Sequence, residues 1–166
     1  LHDALPILLA GPADYTPGSM RSVTQDEFRP MDIDNTPPMS MGTRSHELSM
    51  FVIYDQWMAY LCDSPTEYNK YPDVLDFLSK VPAVWDKTLP LEAKLSEYIV
   101  TAKQKGNDWY VGGMTNWDAR STEVNLSFLK DNVSYQATIF KDAPNSYEQP
   151  KEYMVEKRTV DSKTIL

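Results

Sequence analysis

One cysteine, Cys62, stands in a chain of 166 residues, so an internal disulfide framework and any multi-cysteine metal site are excluded. Basic residues are scarce: 16 stand against 24 acidic ones, for a formal net charge of -8. A phosphate-binding surface needs clustered Lys and Arg, and no such run exists, which argues against nucleic-acid binding. No apolar run approaches the roughly 20 residues that cross a bilayer, so no membrane span is expected. The apolar stretch at residues 5–10 lacks the basic flank and cleavage site of a signal peptide. There is no Gly-x-Ser-x-Gly elbow and no glycine-rich phosphate loop. His46 has no second His or Cys at ligand spacing, so no metal site is expected within this chain. Asp32-Ile33-Asp34-Asn35 opens as a calcium loop does, but Pro37 and Thr43 stand where Gly and Glu are required, and the stretch reads as a solvated turn.

What is present is ordinary globular material, 42% hydrophobic and 24% charged. Twelve prolines imply many short elements and turns rather than a helical bundle. Leu8-Leu9-Ala10-Gly11 followed by Pro12 and a Pro17-Gly18 pair reads as a buried strand entering a loop. Residues 19–41 show no period and read as a long loop. Thr43 caps the clearest helix, with Glu47 near its first turn. Leu48, Phe51, Val52, Met58, Ala59 and Cys62 recur on one apolar stripe, which predicts a helix running to Asp63-Ser64-Pro65. Asp55 falls on that stripe and reads as a carboxylate bonding a neighbouring buried donor. A second helical stretch follows from Thr66 to Lys80, broken near Tyr71 by Pro72.

The pattern changes after Val81-Pro82. Residues 97–103 are rich in β-branched and aromatic side chains, Lys105-Gly106-Asn107-Asp108 is a turn signal, and Trp109 to Met114 completes a hairpin. Alternation at 121–128 and at 134–140, with a further candidate strand at 153–160, predicts an antiparallel sandwich. The chain thus divides near residue 82.

Asp14 directly follows the first strand, in a turn with two prolines. At the C-terminal end of a parallel barrel strand such a carboxylate faces the active site; the competing reading is an Asx-turn, bonding its own backbone. Tyr15, Trp57, Trp109 and Trp117 are candidates for stacking on sugar rings, although Trp57 and Trp109 sit where a core role is expected. Asn125-Leu126-Ser127 and Asn132-Val133-Ser134 fit glycosylation sequons and carry little weight.

Several segments, in order, carry a family resemblance: residues 10–18, Gly42-Thr43-Arg44-Ser45-His46-Glu47-Leu48, Cys62-Asp63-Ser64-Pro65, residues 81–88, residues 109–117, Leu126-Ser127-Phe128-Leu129 and Ile139-Phe140-Lys141-Asp142. Together they resemble glycoside hydrolase family 97 across residues 8–166. The chain departs from the family pattern at Asp55-Gln56-Trp57-Met58, where an apolar, proline-containing segment is usual, and in the loop at 21–41. Residues 1–7 resemble a translated adapter joined to the reading frame and are set aside as a non-native leader. The resemblance implies an α-glycosidase acting on terminal α-linked glucose or galactose of oligosaccharides. It implies that residues 8–82 are the last βα unit of a (β/α)8 TIM barrel and residues 83–166 a C-terminal antiparallel β-sandwich lacking its last strand. The carboxylates that perform such hydrolysis, and the ligands of the family's calcium ion, are expected upstream of residue 8, so no catalytic residue is placed on this chain. Asp14 and Tyr15 are the candidate substrate-binding residues. Periplasmic or secreted bacterial location follows from the same resemblance. The alternative is a non-catalytic carbohydrate-binding or scaffold sandwich using exposed aromatics.

Overall fold

The computed structural model describes residues 15–31, 36–55 and 60–166. The strand expected at Leu8-Leu9-Ala10-Gly11, Asp14, the acidic turn at 32–35 and Trp57 lie outside the described residues.

The long loop carries only a two-residue parallel pair, β1 (Ser22–Val23) with β2 (Ser40–Met41). The first helix, α1, spans Arg44–Ile53. Thr43 caps it as expected: its backbone is extended and its side chain accepts from the His46 N–H at 3.2 Å. The helix is shorter than its apolar periodicity predicts. Tyr54 turns extended (φ -76, ψ 139) and Asp55 lies beyond the helix. No sequence breaker stands there. Tyr54 leaves the helical path to pack with Ile53 and Met114 in a buried cluster, so tertiary packing ends the helix. Two short helices follow, α2 (Pro65–Tyr68) and α3 (Pro72–Leu78), each with proline in its first turn, where the missing N–H costs nothing.

Beyond residue 82 the chain is β-structure. Strands β3 (Lys87–Lys94), β4 (Tyr98–Lys105) and β5 (Asp108–Thr115) form an antiparallel sheet in that order. Strands β6 (Tyr135–Asp142) and β7 (Tyr153–Val160) form a second antiparallel pair. The β4–β5 turn uses Gly106 at φ +58, a conformation costly for any residue with a Cβ. Strand β3 was not foreseen. It is an edge strand, exposed along most of its length, with a register shift between Pro90 and Glu92. The alternation at 121–128 gives no strand; it yields a single bridge, Asn125 to Ile165. Its apolar residues still face inward: Leu126 is buried with Leu129 and Val160, and Val124, Phe128, Trp109, Tyr135 and Ala137 pack around them. That cluster joins the two sheets, through Trp109 on the side of the three-stranded one.

The other face of the three-stranded sheet rests on α1. The register sets Ile99, Thr101 and Lys103 beside Met114, Gly112 and Tyr110, all on one face. A Cβ on Gly112 would lie 2.8 Å from Ile53 Cγ1, 3.1 Å from Val52 Cβ and 3.2 Å from the Ser49 carbonyl oxygen, so only glycine allows this approach. Lys103 is 1% exposed and donates to the Ile53 carbonyl at 3.0 Å and to Asp55 Oδ1 at 2.5 Å. Asp55 is thus the partner of a buried donor, as its place in the sequence suggests. Burial pushes the Lys103 ammonium below its usual value and Asp55 opposes that shift.

Candidate functional site

Tyr15 is the candidate residue that the described structure places. Its ring meets Tyr54 edge-on at 4.8 Å, and its hydroxyl donates to Met50 Sδ at 3.0 Å. Burial, then the neighbouring Tyr54 and Glu47, push its phenol well above the usual tyrosine range, so it stays protonated. Tyr15 lines an open groove of about 1860 Å³ that also takes in His46, Thr115 and Trp117.

The segment after Tyr15 is buried at Pro17, Gly18, Ser19 and Met20, although a loop in this position carries backbone groups that must be paired. Groups from the helices and from the turn before α2 pair them. Glu47 Oε2 accepts from the Gly18 N–H at 2.8 Å and the Ser19 N–H at 3.3 Å. Asp63 Oδ2 accepts from the Met20 N–H at 2.6 Å, and Asp63 also holds the Arg21 guanidinium. Tyr68 donates to the Gly18 carbonyl at 2.7 Å, Arg44 to the Met20 carbonyl at 2.7 Å, and the Cys62 N–H to the Pro17 carbonyl at 3.2 Å. Gly18 sits at φ +91 with the Phe51 ring 2.9 Å from where a Cβ would be.

Burial raises the Glu47 carboxyl above its usual value, and the two amide N–H groups draw it partly back. Burial likewise raises the Tyr68 phenol, to about 12. Burial lowers His46, leaving it neutral at pH 7, and raises the Cys62 thiol, which makes it a poor nucleophile. Neither Glu47 nor Asp63 lines the groove; both carboxylates are spent on backbone N–H groups. Among the described residues no three His, Cys, Asp or Glu side chains assemble into a metal-binding group, and no step through calcium is derived from them.

Sequence reasoning missed Glu47 as a loop-holding acceptor and Arg44 as its companion. The signal was available: both lie on the buried stripe with Leu48 and Phe51, three or four residues apart, where charge is out of place. Arg44 is 2% exposed, with its guanidinium 3.9 Å from the Tyr71 ring centre and 5.4 Å from that of Tyr153. The Tyr153 hydroxyl in turn donates to Asp73 at 2.9 Å. Trp109 offers no free platform, because it packs on Phe128 at 4.7 Å; Trp117 is 59% exposed. No helix of the described residues is long and apolar enough to cross a membrane.

Two antiparallel sheets, joined by apolar side chains and backed by short helices, define a sandwich-like class of fold. Residues 84–166 match the family described as glycosyl-hydrolase 97 C-terminal, oligomerisation. A retaining alpha-galactosidase of Bacteroides thetaiotaomicron is 43% identical over 148 residues, which is 89% of this chain and 22% of that protein. Among solved structures, a glycoside hydrolase family 97 enzyme of a Pseudoalteromonas strain, in complex with acarbose, superposes with a TM-score of 0.81 at 29% identity. A complex of that enzyme with panose gives 0.79 at 30% identity. Each of these alignments covers 96% of this chain and 24% of the other. A beta-arabinopyranosidase shares the fold at a TM-score of 0.67 and 17% identity. The chain belongs to glycoside hydrolase family 97. It spans less than a quarter of the length of these relatives.

Proposed function

We propose that the chain is the C-terminal part of a retaining α-galactosidase that removes terminal α-linked sugars from oligosaccharides. The observation that carries this is the 43% identity to a protein of that activity, sustained over 89% of the chain. Residues 8–82 form the last βα unit of the catalytic (β/α)8 barrel in this reading, and residues 83–166 the C-terminal sandwich. Retention requires an acid and a nucleophilic carboxylate roughly 5–5.5 Å apart. Glu47 and Asp63, the carboxylates that hold the segment after Tyr15, are committed to backbone donors, and this reading leaves the catalytic pair and the calcium ligands to other parts of the parent protein. Tyr15, with Asp14 before it, then contributes at the substrate side. Location is periplasmic or secreted.

The test uses the full-length parent with nitrophenyl α-galactoside and α-glucoside, and follows the first-formed sugar anomer by NMR. Preferential galactoside cleavage with an α-anomeric first product is expected. Preference for the glucoside would overturn the substrate assignment, and a β-anomeric product the retaining one. The 166-residue chain alone is expected to turn over neither substrate.

A further inference from the structure

We infer that Glu47 is a positioning residue, which fixes the backbone of residues 17–19 and thereby holds Tyr15 at the rim of the groove. The inference rests on reading Tyr15 as a substrate-side residue of a glycosidase.

A carboxylate in the interior costs several kcal/mol in lost hydration, and an apolar side chain of similar size would pack there at no such cost. Glu47 is 6% exposed, and among the described residues it forms no ion pair. Its Oε2 instead takes the N–H groups of two consecutive residues, Gly18 at 2.8 Å and Ser19 at 3.3 Å. Its hydrogen bonds to the backbone thus go to one segment, with the Ser40 hydroxyl as a further neighbour of the carboxyl. The same helix, with the residue that ends it, holds that segment's other end. Met50 and Tyr54, three and seven residues further along, meet the Tyr15 hydroxyl and ring. Phe51 presses on Gly18 from the same helix. Tyr15 and Gly18 are thus fixed by α1 and its C-terminal Tyr54 at both ends of a short bridge. Glu47 itself stays out of the groove that Tyr15 lines, so it acts through Tyr15 rather than on substrate.

Loss of the acceptor frees two amides that must then find water, and the bridge moves with them. Small misplacement at a binding site is costly, up to about 100-fold for 1 Å. In the full-length parent, Glu47→Ala is expected to lower kcat/KM by about tenfold or more, chiefly through KM. Glu47→Gln keeps an acceptor oxygen and is expected to remain within about twofold of the parent. Tyr15→Ala is expected to lower kcat/KM as well, and the double variant to be no worse than Tyr15→Ala alone, because one side chain acts through the other. All are compared at a temperature where circular dichroism shows the folded signal intact. A Glu47→Ala protein with a lowered unfolding midpoint and unchanged kcat/KM would reduce Glu47 to a structural residue and overturn the inference. So would additive losses in the double variant. If Tyr15→Ala leaves kcat/KM untouched, the substrate-side reading of Tyr15 fails first and the inference with it; if the parent cleaves no glycoside, both fall. Should Glu47→Ala not fold, Glu47→Asp replaces it. Its shorter side chain cannot span both amides, and an unchanged KM in that variant overturns the inference equally.

Discussion

Glu47 ties its own ionisation to the stability of the fold. Its carboxyl is raised in the folded state by burial, so the folded chain binds the proton more tightly than the unfolded one. The stability this contributes is fully present below the unfolded value of 4.5 and is lost as pH rises through the folded value. Glu47→Gln mimics the neutral form at every pH. Its unfolding midpoint at about pH 7 is expected to equal or exceed the parent's, with the margin shrinking toward about pH 4; thermal unfolding across that range checks it. Tyr68 behaves similarly at the alkaline end. Raised by burial from 10.0 to about 12, its phenol contributes stability that is present below 10.0 and lost as pH rises through about 12. Tyr68→Phe leaves the Gly18 carbonyl and the Asp63 N–H without their partner. It is expected to cost about 1–3 kcal/mol near neutrality and to flatten the alkaline decline, as denaturant titrations at several pH values would show.

At the scale of elements, the seam between α1 and the three-stranded sheet depends on one missing side chain. Gly112→Ala puts a Cβ 2.8 Å from Ile53 and 3.2 Å from helix backbone, and is expected to destabilise by about 1–3 kcal/mol. Gly113→Ala, one residue along and on the opposite face, meets only Val100 at 3.9 Å and is expected to stay within about 0.5 kcal/mol. Chemical denaturation of the two variants side by side checks the contrast. The elements also show what the sequence makes legible. The β4–β5 hairpin could be read because β-formers flank Gly106-Asn107, and β6 because Tyr135, Ala137 and Ile139 alternate with polar residues. Strand β3 could not, because Lys87–Lys94 contains Pro90 and a Leu-Glu-Ala-Lys run that favours helix; it is a strand because β4 pairs with it. The end of α1 was hidden for the converse reason. Its period continues in the sequence, but packing of Tyr54 and the demand of buried Lys103 for Asp55 draw the chain out of the helix. At the candidate site, Tyr15 was visible as an aromatic in a loop after a strand. The acceptor that orders its loop was not, because nothing local pairs Glu47 with residues 28 and 29 positions earlier.

For the whole molecule, the helices and the sheets are bound together by unlike contacts. Lys103 and Gly112 dock one sheet on α1, while Arg44, Tyr153 and Asp73 tie β7 to α1 and α3. With these seams the chain is expected to lose both parts in a single transition, with matching calorimetric and van't Hoff enthalpies; two resolved heat-capacity peaks would contradict this.

The outer rim of the three-stranded sheet has its own consequence. Pro90 lacks an N–H to offer, the ladder slips beside it between Pro90 and Glu92, and lysines stand at both ends of β3. A neighbouring chain therefore cannot zip onto that border as an unbroken extra strand. Crowded copies of the protein are kept from growing into fibrils along that border.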